Sequence, residues 1–154
     1  MRDTKQALQW ITNILNKNKI PFQIVGGLAA KAHGAKRKLW GIDIYIPEKY
    51  KDKIVEKTKK YIVWGPKQIK QKNWDLEYMK IMYAEQKIEI GFPEKTKLFD
   101  TTKKKWFHEK INFSKSELKE IFGIKTPVMP KKKLIDRKKK LGRKVDKLDL
   151  EQMQ

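Results

Sequence analysis

The chain has 154 residues, with 38 Lys and Arg against 18 Asp and Glu, a formal net charge of +20 and no cysteine. That length suits one domain over residues 1–154 and is short for a catalytic module with a separate large acceptor domain. Disulfide frameworks, thiolate zinc sites and cysteine nucleophiles are excluded, and no segment reaches the ~20 apolar residues of a membrane span or reads as a signal peptide, so a soluble, cytoplasmic protein without a membrane partner is expected.

In chain order, residues 3–19 read as an amphipathic helix capped by Asp3 or Thr4, with Ala7, Leu8, Ile11, Ile14 and Leu15 on one face and Trp10 at its flank. Phe22 to Val25 is a short buried strand, followed by Gly26-Gly27 and a helix beginning near Leu28 that ends at His33-Gly34. Ile42 to Ile46 alternates as a second strand carrying Asp43, and Pro47 stops it. A helix over Glu48 to Lys60, a strand over Tyr61 to Trp64 and a polar loop over Gly65 to Asn73 come next. A hairpin of Asp75 to Tyr83 and Lys87 to Phe92 follows, its second strand carrying Glu89.

From Pro93 to Lys110 the chain is basic, and Lys103, Lys104, Lys105, Trp106, Phe107 and His108 interleave charge with aromatic rings. That pattern suits single-stranded nucleic acid, and equally a Trp-Phe pair packed beneath a solvated lysine face. Ser114 to Glu117 resembles a capping box opening a short helix toward Phe122, with Gly123 closing it. Thr126 to Pro130 reads as an extended connector, and Lys131 to Leu141 and Lys144 to Leu150 as basic helices broken near Gly142.

The chemistry concentrates in Ile24 to Ile46, IVGGLAAKAHGAKRKLWGIDIYI. Two glycines after an apolar strand let backbone N–H groups approach an anion, and a helix start aims its dipole at the same place. Asp43 on the next strand is placed to hold a divalent cation against that anion, and an unpaired aspartate between two isoleucines requires a cation or a basic partner. Arg37 and Lys38 lie on the intervening loop, placed to neutralise phosphates, with Lys38 reading nearly as well as a solvated surface charge. His33 either touches a nucleotide or makes a structural hydrogen bond at a helix end. With only two histidines, neither a Ser-His-Asp arrangement nor a multi-histidine zinc site is available.

In order and spacing, Gly26-Gly27, Ala29, His33-Gly34, Arg37 and Ile42-Asp43-Ile44 resemble the signature of small nucleotidyltransferases of the polymerase-beta-like superfamily. Leu134-Ile135, Lys138, Gly142-Arg143 and Asp146 to Asp149 resemble the closing helices of the same group. The resemblance implies an α+β palm, a mixed β-sheet flanked by helices with a C-terminal basic helical segment. It also implies transfer of a nucleoside monophosphate from a nucleoside triphosphate, ATP included, to an acceptor hydroxyl. By the same resemblance Asp43 and Glu89 would hold Mg²⁺ or Mn²⁺, Gly26, Gly27 and Arg37 would hold the triphosphate, and Lys138 and Arg143 would lie near the site.

The departure is Gly41. Two carboxylates two residues apart on a strand turn to one face and grip two metal ions, and the earlier of those positions is glycine. Asp75 and Glu77, also two apart, are either substitute ligands or an exposed strand start. The net charge favours a polyanion, RNA above all, and the excess of lysine over arginine favours diffuse phosphate contact over base reading. A non-catalytic nucleic-acid-binding or regulatory protein, or one half of a toxin-antitoxin pair, is the competing expectation.

Overall fold

The computed structural model describes residues 1–153. The first helix, α1 (Thr4–Lys17), is capped by the Asp3 carboxylate, which accepts from Gln6 N, and it buries Ala7, Leu8, Ile11 and Leu15. Thr12 shares that buried face because its hydroxyl donates to Leu8 O, so its polarity is satisfied within the helix. Trp10 stacks on Tyr83, with ring centroids 4.2 Å apart.

Strand β1 (Gln23–Val25) leads directly into helix α2 (Gly26–Ala32), which begins two residues earlier than expected. Strand β2 (Gly41–Tyr45) follows, then helix α3 (Lys51–Thr58) between two 3-10 turns. Strands β3 (Ile62–Lys70), β4 (Trp74–Tyr83), β5 (Gln86–Asp100) and β6 (Lys105–His108) form a meander. Strands β7 (Glu117–Ile121) and β8 (Ile124–Val128) form a further hairpin, and helices α4 (Lys131–Leu141) and α5 (Lys144–Met153) close the chain. The eight strands make one sheet in the order β3-β4-β5-β2-β1-β8-β7, with β6 pairing the far end of β5. Parallel pairing joins β2 to β5 and β1 to β8, and the remaining ladders are antiparallel. This is the α+β architecture with a mixed sheet that the sequence implies.

The apolar core lies where α1 and α2 cover the centre of the sheet, around Leu8, Ile11, Leu28, Ile42, Ile44, Ile88 and Ile90, all essentially fully buried. Among the described residues no helix is long and apolar enough to cross a membrane.

Five expectations are corrected. Gly65 to Asn73 is largely strand, because β3 continues to Lys70 on an edge of the sheet where register shifts accommodate Gly65-Pro66. Pro93 does not end β5, since four residues from Phe92 to Lys95 bulge between the Tyr78–Gly91 and Leu76–Thr96 pairs and Thr96 Oγ1 donates to Phe92 O across the bulge.

Ser114 to Phe122 is no helix. A 3-10 turn over Phe113–Lys115 leads into β7, and Phe122-Gly123, both at positive φ, turn the hairpin. The glycine that reads as a helix cap is a hairpin turn residue, because both uses need the same left-handed backbone. The connector over Thr126 to Pro130 is mostly β8. In the basic stretch, Trp106 packs on Phe99 at 5.4 Å instead of pairing with Phe107, while Lys103 to Lys105 stay exposed.

Candidate nucleotide-binding site

A cavity of about 390 Å³ opens between the sheet and the C-terminal helices. Gly26, Gly27, Arg37, Asp43, Glu89 and Arg143, named from sequence, all line it, joined by Trp40, Tyr45, Trp74, Tyr78 and Arg137.

Its acidic floor is set by register. Asp43 on β2 pairs with Glu89 on β5, so the alternating pleat presents both carboxylates on one face. Burial first, and the neighbouring Glu89 charge second, push the Asp43 carboxyl up to about 6. No ammonium or guanidinium among the described residues lies within ion-pair distance of Asp43. Glu89 Oε1 is 3.0 Å from Lys87 Nζ, on a pair open to solvent.

The Gly26-Gly27 turn acts chiefly by lacking side chains. Gly26 has φ +64°, and a Cβ there would lie 2.5 Å from Asp43 Oδ2. A Cβ on Gly27 would lie 2.9 Å from an Arg37 guanidinium nitrogen. The turn therefore lets the acid of β2 and the base of the preceding loop close on it from two sides. Helix α2 spans only seven residues, so close backbone approach outweighs any dipole effect.

The opposite wall is cationic and held from behind by buried acids. Arg37 makes a forked pair to Asp149, at 2.7 and 3.0 Å. Lys138 is buried between Asp149 and Asp146, at 2.9 and 3.3 Å. Arg143 donates to Asp146, three positions on, through Nε at 2.7 Å and through its backbone N–H at 3.0 Å, which caps the start of α5. Burial opposes the Asp146 charge, but Arg143 and Lys138 outweigh it and hold that carboxyl below its ordinary range. Arg137 is held by Glu109 at 2.8 Å and donates to the Tyr45 hydroxyl at 3.0 Å, which in turn donates to Glu109. The Arg143 guanidinium lies 4.9 Å from the Trp74 ring centre.

Three sequence-derived candidates stand outside the lining. His33 donates from Nε2 to Met129 O and ties α2 to the end of β8, the structural alternative of its two readings. Lys38 is exposed, with Nζ 5.5 Å from the Trp40 ring. Lys138 is consumed by two aspartates and reaches the cavity only through them. Asp75 and Glu77 supply no substitute ligand. Asp75 accepts from Gln68, Glu77 pairs with Lys51, and the cavity takes Leu76 and Tyr78 from that strand.

Arg137 was missed in the sequence, yet a signal exists. Leu134, Arg137, Lys138 and Leu141 fall at i, i+3, i+4 and i+7, the inward stripe of α4, so two cations on that stripe must find buried acids. Trp40 and Trp74 carry no comparable mark.

Floor, turn and wall together sit on a polymerase-beta-like nucleotidyltransferase fold. Among solved structures, the chain is similar to a Thermotoga maritima protein classed provisionally as a nucleotidyltransferase, at TM-score 0.70 and 18% identity over 96% of this chain and 90% of that one. It is also similar to the lincosamide antibiotic adenylyltransferase LnuA with lincomycin bound, at TM-score 0.63 and 13% identity over 98% and 96% of the two chains. A third, ANT(2″)-Ia in complex with adenylyl-2″-tobramycin, matches at TM-score 0.53 and 14% identity over 86% and 73%. No family model matches the chain, and no curated sequence is significantly similar to it.

Proposed function

We propose that the protein is a minimal nucleotidyltransferase that moves a nucleoside monophosphate from a nucleoside triphosphate to an acceptor hydroxyl, releasing pyrophosphate. The observation that carries this reading is the cavity itself, in which Asp43 and Glu89 face Arg37, Arg137 and Arg143 across a space walled by Trp74 and Tyr78. Polyphosphate carries negative charge that one side repels and the other attracts, so it would lie against the arginine wall, with its base beside the tryptophans.

Two facing carboxylates, one without a basic partner, fit a divalent cation. Among the described residues no cluster of three or more His, Cys, Asp or Glu could hold a metal, so the protein would supply two donors and substrate phosphates the rest, an arrangement Mg²⁺ accepts. When bound, Mg²⁺ or Mn²⁺ would neutralise phosphate charge and polarise the acceptor hydroxyl. The arginine wall would orient the triphosphate, and Asp43 and Glu89 would fix the reacting end against the sheet.

RNA is the acceptor favoured by a net charge of +20, which draws a polyanion and repels a cationic aminoglycoside. Gly41 favours one second reading, a binding or regulatory protein that has lost the chemistry, including a toxin-antitoxin component. The test is incubation with each α-labelled nucleoside triphosphate, Mg²⁺ or Mn²⁺, and total cellular RNA. Label should enter RNA with the unmodified protein and fall at least ~100-fold with Asp43→Ala. No transfer with salt-sensitive RNA binding intact would select the second reading, and label entering only an added small hydroxylated acceptor would remove RNA.

A further inference from the structure

On the cavity face of the sheet, β2 and β5 set Gly41 opposite Lys87, Asp43 opposite Glu89 and Tyr45 opposite Gly91. A site for two divalent cations requires this surface to be strongly acidic. It instead carries two carboxylates and two lysines, because Lys87 Nζ lies 3.0 Å from Glu89 Oε1 and Lys80 on β4 stands opposite Glu89 in the ladder. The Lys87 stem occupies the space that Gly41 leaves open, since a Cβ at position 41 would stand 3.2 Å from Lys87 Cε. The glycine and the lysine therefore form one feature, in which a carboxylate is absent and a fixed cation lies across its place.

We infer that the Lys87 ammonium takes the place of one divalent cation, so that this site holds a single metal ion, between Asp43, Glu89 and the triphosphate. The inference rests on the nucleotidyl-transfer reading and specifies its cation requirement. An ammonium supplies one positive charge and three N–H donors but no Lewis-acid coordination. Lys87 thus acts through Glu89 and the local field as a positioning residue.

The test is Mn²⁺ titration, followed by the paramagnetic signal of the free ion, on the purified protein with a non-hydrolysable α,β-methylene triphosphate analogue. One Mn²⁺ per bound analogue is expected for the unmodified chain and for Lys87→Arg. Two are expected for Gly41→Asp with Lys87→Ser, with folding checked by circular dichroism. The single variant Lys87→Met, which alters only a half-exposed side chain, is expected to bind Mn²⁺ without nucleotide roughly tenfold more tightly than the unmodified protein, because Glu89 is freed of its partner. Two ions in the unmodified ternary complex, or unchanged Mn²⁺ affinity in Lys87→Met, would overturn the inference while leaving nucleotide binding intact. Failure of the analogue to bind at any Mn²⁺ concentration would remove the nucleotide reading and this inference with it.

Discussion

The two sides of the cavity handle charge in opposite ways. On the helical side every cation is answered inside the protein, Arg37 by Asp149, Arg143 by Asp146, Arg137 by Glu109, and Lys138 by both aspartates. On the sheet side Asp43 has no basic partner among the described residues, and Glu89 has one shared with solvent. A wall neutralised from behind keeps its arginines in fixed directions, whereas an unpaired, partly buried carboxylate in the floor costs stability when ionised. The ion pairs that stabilise the fold thus lie on one face of the cavity and the unpaired carboxylate on the other.

The largest effect should come from breaking the wall. Asp149→Ala leaves Lys138 buried with one remaining partner and Arg37 with none, and is expected to destabilise the protein by about 3–5 kcal/mol, measured by denaturant unfolding. A smaller loss is expected at the seam between the two sides. Gly26→Ala places a side chain at φ +64° and 2.5 Å from Asp43 Oδ2, costing about 1–2 kcal/mol and displacing the carboxylate, so Mn²⁺ affinity should fall along with stability.

The floor should behave in the opposite sense. Asp43 has its carboxyl raised from 3.8 to about 6, so the metal-free folded state binds its proton more tightly than the unfolded chain does. Stability should therefore decline as pH rises from the unfolded value through about 6 and level off above it. Because Asp43 is only partly buried, the decline should be about 1–2 kcal/mol. Asp43→Asn should abolish this decline and make the metal-free protein more stable at neutral pH, as urea unfolding with a chelator at several pH values would measure. A variant less stable than the unmodified protein at neutral pH would show that Asp43 is answered by a cation of the fold after all.

Much of the floor is legible in the chain because strand alternation and glycine are local signals. Asp43 between isoleucines, Glu89 between isoleucines and the Gly-Gly turn are each defined within five residues. The wall is less so. Arg37 and Asp149 are 112 positions apart, and Arg137 meets Tyr45 across 92. Lys138 is placed near the site by the resemblance alone and is an internal counter-ion once α5 brings Asp146 and Asp149 to it. The errors in the fold share one cause. Pro93, Gly65-Pro66 and Gly123 are local breakers, and pairing with neighbouring strands absorbed the first two as bulges and used the third as a turn.

By itself, then, the sequence determined the mixed α and β pattern, the glycine turn and the acid beside it, because period-two and period-3.6 burial and left-handed backbone are written in adjacent residues. Tertiary structure alone decided which charges face the cavity and which are neutralised behind it, and that Lys87 lies in the space left by Gly41. Those outcomes depend on strand register and helix docking between distant segments, where electrostatic pairing follows distance in space and not along the chain.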